Sequence, residues 1–185
     1  DVWKPVGTDE GFEIVRRRLF MPCKNEAERD RICAAFSTMY QQNADQFPIE
    51  AKDAEYRRRM EACYPVHPEV FDHLYGKWSM LNGFQRTRGV LRLMAEVIHQ
   101  LCVENNRDPM VMPGSLPMHT AAGEELTRYL ESSKHWETII NKEVDGKNSI
   151  PRIKDEQDPR YKYRQMACRV ARTILLGSAP DVRSQ

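Results

Sequence analysis

The chain has 185 residues, with 28 Lys plus Arg against 27 Asp plus Glu and a net charge of +1, so no global field draws it to nucleic acid, and such binding has to come from a local patch. A chain this long can bury roughly two thirds of its unfolded surface and fold without staples. Five cysteines, Cys23, Cys33, Cys63, Cys102 and Cys168, form no Cys-x-x-Cys pair, which argues against a zinc ribbon, a redox motif or a disulfide framework and points to a reducing cytoplasm.

No apolar run approaches the roughly 18 residues of a membrane span, and no charged, apolar, small-residue leader opens the chain. A cytoplasmic protein with no membrane partner is the expectation. A start at Asp1 and an end at "GSAPDVRSQ", directly after a strongly patterned helix, are what a piece of a longer protein would show.

After an extended "VWKPV", Thr8 is placed to cap a helix with Asp9 and Glu10 in its first turn and "GFEIVRRRLF" as its body, stopped by Pro22. Asn25 followed by Glu28 resembles a capping box that opens a long amphipathic helix, with Ile32, Ala35, Phe36, Met39 and Tyr40 on the inner stripe. "DQFPIE" interrupts and "AKDAEYRRRMEACY" restarts.

In "PVHPEVFDHLYGKWSMLNG", Pro68 suits a first helical position, and Val70, Phe71, Leu74, Tyr75 and Trp78 recur at helical spacing until Asn82 and Gly83 end the element. The next helix is predicted from about Gln85 to Val103. Val90, Leu91, Met94, Val97, Ile98 and Leu101 share one face, Arg88, Arg92, Glu96 and His99 the other, and Arg86 falls at the edge of the apolar face.

"NNRDPMVMPGSLPM" forbids a continuous helix, so a boundary is placed near residue 108, dividing a helical region 1–108 from a helical extension 109–185. Beyond it, "AAGEELTRYLESS" and "KHWETIINKEV" read as helices, "DGKNSIPRIKDEQDP" as a polar loop, and "RYKYRQMACRVARTILLG" as a terminal helix with Gly177 as its stop. The fold class is all-α: a multi-helix bundle followed by a smaller helical segment.

Candidate chemistry is sparse. His67 and His73 are six apart with Pro68 intervening, which does not bring two imidazoles onto one helical face, so packing and capping roles are favoured over metal binding. No cysteine sits in a nucleophile motif, and no phosphate-binding glycine loop is present; the chain alone is expected not to hydrolyse ATP. Three arginine clusters remain: Arg16 to Arg18, Arg57 to Arg59, and Arg86, Arg88 and Arg92. Consecutive helical residues point about 100° apart, so a triple run cannot present all its cations to one ligand, and Arg57 to Arg59 are read as a solvated face. Arg86, beside the apolar stripe, is costly unless a carboxylate or an anion meets it.

"EIVRRRLF", "YPVHPEVFDHLYGKWS", "FQRTRGVLRLMA", "ELTRYL", "DGKNS" and "RVARTILLGSAP" together resemble a prokaryotic family of very large predicted ATPases of the AAA+ class, usually described as a domain of unknown function, with relatives in phage-defence gene clusters. The similarity spans nearly the whole chain, and "YPVHPE" followed by "FQRTRGVLRLMA" is its most specific part. The resemblance implies that this stretch follows the nucleotide-binding core, with "VWKPV" leaving the core sheet and the helices forming a lid. AAA+ lids place a sensor arginine at the start of a helix, and Arg88 stands nearest that pattern, whereas helical geometry favours Arg86; both are candidate nucleotide-binding residues. It further implies ATP and magnesium as cofactors of the full-length parent, its upstream core and further copies of itself as partners, and a DNA-linked or defence setting. The contrasting expectation is an autonomous helical module that binds protein or nucleic acid through its Arg-rich faces.

Overall fold

The computed structural model describes residues 8–181; "VWKPV" lies outside them. Among the described residues ten α-helices follow one another: α1 Thr8–Leu19, α2 Glu26–Gln42, α3 Ala54–Cys63, α4 Pro68–Gly76, α5 Arg86–Val103, α6 Ala121–Thr127, α7 Ser133–Ile139, α8 Ile150–Gln157, α9 Pro159–Lys162 and α10 Met166–Ser178. No strand occurs among the described residues, and a single parallel bridge joins Val66 to Val111. The fold is all-α, as predicted.

Local chemistry explains where the helices begin. Asn25 accepts the backbone N–H of Glu28 at 3.0 Å, but the reciprocal arm of a capping box is not formed, because the Glu28 carboxylate binds Arg31 at 2.6 Å. His67 caps α4 through its side chain, with Pro68 at the first helical position. The stripe expected on α2 is rotated: Cys33, Ser37 and Tyr40 are buried while Ala35 and Met39 are exposed. Small side chains take the line that packs on α3, and Ile32 and Phe36 flank it.

Val70, Phe71, Leu74, Tyr75 and Trp78 of α4 and its flank, together with Val90, Met94, Val97 and Leu101 of α5, enter one apolar cluster. Leu116, Leu126, Val144, Leu175 and Leu176 belong to the same cluster, so side chains on either side of residue 108 share it. The fully buried Trp78 donates its indole N–H to the carbonyl of Leu176 at 2.8 Å, which satisfies its polar end and ties α10 to the α4 flank. A smaller cluster of Cys33, Tyr40, Ala51, Met60 and Met110 sits under α2.

Two expectations for the second half are corrected. The segment read as a polar loop contains α8, whose Ser149 accepts the N–H of Arg152 and whose Pro151 occupies the first turn; these are helix-start signals within a composition that is otherwise loop-like. The terminal helix is broken at Gln165, where φ is +51°, and Gly177 lies inside α10 rather than ending it. The break is held from a distance, because the buried Asp155 of α8 accepts the N–H groups of Ala167 at 2.8 Å and Cys168 at 3.0 Å. That carboxylate caps α10, which has no cap from its own flank.

The second half is organised around Asp145, whose side chain is completely buried. It receives Arg172 at 2.5 Å, Arg152 at 3.2 Å, and both the ring Nδ1 at 2.8 Å and the backbone N–H at 3.3 Å of His119. Burial pushes the carboxyl pKa up, but the bonds from His119 and Arg172 outweigh it and hold Asp145 below its ordinary value. It is therefore ionised, and His119 Nδ1 donates to it.

Removing the carboxylate leaves the buried Arg172 uncompensated, so Asp145→Ala should lower unfolding stability by about 3–5 kcal/mol in urea titrations. In the native protein this contribution is present above the ordinary carboxylate pKa and is lost as pH falls through the depressed folded value. The stability difference between the native protein and Asp145→Ala is expected to stay level from neutral pH down to the ordinary carboxylate range and to shrink as pH falls further.

Candidate functional site

Two places gather polar side chains at points the apolar packing makes rigid. The first is the start of α5. Gly83 turns the chain with φ +85°, a conformation open to glycine without strain. Phe84 then folds back over Gly89, where a β-carbon would stand 2.9 Å from its ring, and meets the Tyr129 ring edge-on at 4.9 Å. The helix start is thereby pinned, and Gln85 at the capping position supplies no side-chain bond to it.

Arg86, Arg88 and Arg92 leave this end in different environments. Arg86 has φ +31° and is exposed; the twist takes it off the regular helical wheel, so it does not border the apolar face as its spacing suggests. Arg88 is exposed as well, and neither it nor Arg86 forms an ion pair among the described residues. Arg92 is half exposed but not merely solvated: it binds Glu125 of α6 at 2.5 Å, and that carboxylate is 7% exposed. Arg128 reaches Glu125 at 3.2 Å and the Tyr129 hydroxyl donates to it at 2.8 Å. A hollow of about 200 Å³ lies between Arg88, Arg92, Arg128 and Tyr129. Arg92 and Arg128 share Glu125, which leaves Arg88 as the one of the three lining arginines without an ion pair among the described residues.

The second place is a cleft of about 800 Å³ between the α2–α4 side and α10. Phe47, Met112, Val170 and Ile174 provide apolar walls, and Tyr40, Tyr56, Arg59, His67, Glu69 and Asp72 the polar lining. Arg59, read from sequence as part of a solvated run, turns to α4 and binds Asp72 through both guanidinium nitrogens, whereas Arg57 pairs with Glu61 and Arg58 with Glu55 within their own helix. The Arg59 contact joins residues 13 apart and has no local sequence signature.

His67 has a defined tautomer. Its Nδ1 accepts the N–H of Glu69 at 3.2 Å, so in the neutral ring the hydrogen is on Nε2, 2.9 Å from the Tyr40 oxygen. Burial brings the imidazole pKa down to about 4, and burial followed by the Glu69 charge pushes the Tyr40 phenol up to about 12. Tyr40 therefore accepts from His67 and keeps its own O–H hydrogen. Tyr56 donates to Glu69 at 3.0 Å, and burial followed by that carboxylate raises its pKa too. The capping role read for His67 is the one it fills; its bond to Tyr40, 27 residues away, is beyond sequence periodicity.

A family model described as the DUF499 second domain matches residues 7–182. No curated protein and no solved structure matches the chain.

Because the folded state disfavours protonated His67, stability is intact above the ordinary histidine pKa of 6.5 and is lost as pH falls from there towards about 4. The cumulative loss at the lower end should be roughly 3 kcal/mol. Nitrogen-15 NMR of the ring should show Nε2 protonated and Nδ1 bare at neutral pH, with no titration above about pH 5; a midpoint near the ordinary value would contradict the assigned tautomer and burial.

Proposed function

The chain belongs to the family described as the DUF499 second domain, and on that premise we propose that it is a helical lid of a larger ATP-binding protein of the AAA+ class, in which the start of α5 brings an arginine to the nucleotide's terminal phosphates. The observation that carries the reading is the charge arrangement at that end: Arg92 and Arg128 converge on Glu125, while exposed Arg88 has no carboxylate partner among the described residues. A guanidinium held on a pinned helix, next to two others, suits charge-assisted bonding to phosphate. The family description as a second domain and the resemblance of "RTRGVLRLM" to a sensor helix support the same reading.

Within it, ATP and magnesium sit on a core that precedes the lid in sequence, and this chain supplies neither the phosphate cradle nor the metal ligands. Arg88 is the foremost contact and Arg86, two residues earlier on the exposed end, the second. Arg92 is a positioning residue that fixes α6 against α5. The parent is then a cytoplasmic ATPase, assembled from copies of itself and working in a DNA-linked or defence setting; those last features rest on family resemblance alone. A helical interaction module is the second reading, favoured by Met166, Val170 and Ile174, which stand exposed at four-residue spacing along α10.

Alanine substitution in the full-length protein separates these roles. Arg88→Ala should weaken ATP affinity or turnover by about ten- to a hundredfold without lowering the melting temperature. Arg92→Ala should instead reduce stability, because it strips a cation from the buried Glu125. If Arg86→Ala and Arg88→Ala both leave ATP binding and hydrolysis intact, the lid-arginine reading is wrong.

A further inference from the structure

A third hollow, of about 420 Å³, lies where the loop after α5 meets α8, the turn between α9 and α10, and α10. Its lining includes five arginines: Arg107, Arg152, Arg164, Arg169 and Arg172. We propose that it is a binding site for the phosphoryl group of a small molecule, separate from the start of α5 and independent of the lid reading.

Charge pairing inside the hollow is incomplete. Asp145 is taken by Arg152, Arg172 and His119. Asp108 is taken by Arg169 at 2.7 Å and accepts the Ser115 hydroxyl at 3.1 Å. Glu104 accepts from Gln100 at 2.8 Å and lies 3.8 Å from the His119 ring. Counting the buried Asp145 with the lining Glu104 and Asp108, three carboxylates stand against five arginines, and the two cations left over are Arg107 and Arg164, which are exposed and have no ion pair among the described residues. Arg164 is oriented by stacking over Tyr163, 5.2 Å from the ring centroid.

A second observation concerns the same lining. Arg172 is 6% exposed, and its Nε–H is buried with no hydrogen-bond partner. Its other nitrogens are engaged with Asp145 at 2.5 Å and the Gly114 carbonyl at 3.4 Å. A buried guanidinium N–H without an acceptor is costly, and because Arg172 lines the hollow, a phosphoryl group bound there would add negative charge beside it. Two unpaired guanidinium groups match the double charge of a phosphomonoester, and their forked donors match its oxygens, which favours phosphate over a singly charged carboxylate.

The test is calorimetric titration of the whole chain with inorganic phosphate and with AMP at low ionic strength, alongside the Arg Nε–H region of the proton–nitrogen NMR spectrum. Saturable binding is expected, with a shift of the Arg172 Nε–H resonance. Arg107→Ala combined with Arg164→Ala should weaken it by at least about tenfold, whereas Arg58→Ala, which removes an exposed cation paired only with Glu55, should not. Equal affinity for the two ligands means that the phosphoryl group alone is read, and tighter AMP binding means that the site takes a nucleotide; both support the proposal. If the double variant loses its helical circular dichroism, Arg164→Lys takes its place, with a several-fold weakening expected from loss of the guanidinium fork. The proposal is overturned by an absence of saturable heat at about 10 mM phosphate, by binding that ignores these substitutions, or by a short DNA duplex that binds through the same arginines far more tightly than AMP.

Discussion

A single buried carboxylate organises the half of the chain that sequence periodicity describes least well. Asp145 sits just beyond the π-helical turn Ile140–Val144 and gathers a histidine from the segment before α6, an arginine from α8 and an arginine from α10. Alone in an apolar interior the charge would be prohibitive. Paired three ways, it becomes a fixed point, because removing any one partner exposes the others to the cost of burial. Of the helices attached to it, α8 is short and leaves Ile150 and Ile153 exposed, whereas α10 buries Leu175 and Leu176 in the main apolar cluster. The position of α8 thus draws on polar contacts, and that of α10 on polar contacts and apolar burial together.

The first half works the other way. α4 and α5 are held by apolar packing around Trp78, Phe71, Val90 and Met94, and their polar residues are consequences of that packing. His67 caps α4 and gives its remaining hydrogen to Tyr40. Phe84 folded onto Gly89 fixes the start of α5, so the arginines that follow project from a rigid base. This is the arrangement a phosphate-contacting helix requires, since an arginine on a loose segment loses much of its bonding energy to ordering. The proposed lid role draws on that rigidity, and Arg88 is the arginine of this hollow that forms no ion pair among the described residues.

The contrast explains what could be read from the residues. α4 and α5 carry their signals locally, in Pro68, His67 and apolar spacing of three to four; α5 lies where that pattern puts it, and α4 starts there but ends at Gly76, with Trp78 in a separate 3-10 turn before Asn82 and Gly83. α8 was hidden because "KDEQD" has the composition of a loop, although Ser149 and Pro151 mark its start. The interruption before α10 depends on Asp155, which reaches residues 12 and 13 positions ahead; no helical period reports a contact of that span. The same holds for Arg59 with Asp72 and for Arg172 with Asp145, where the partner is chosen by tertiary structure. Arg86 was misplaced for a different reason: a wheel assumes regular dihedrals, and its positive φ breaks that assumption at the first helical residue. The candidate arginines were legible as a cluster, but which of them the fold occupies was not.

The lid reading is tested most directly by a structure of the full-length protein with magnesium and a non-hydrolysable ATP analogue. It predicts the Arg88 guanidinium within charge-assisted hydrogen-bond reach, about 2.7–2.9 Å, of a terminal phosphate oxygen, with Arg92 still on Glu125. Nucleotide bound in the core while the start of α5 faces solvent or another protein surface would contradict it.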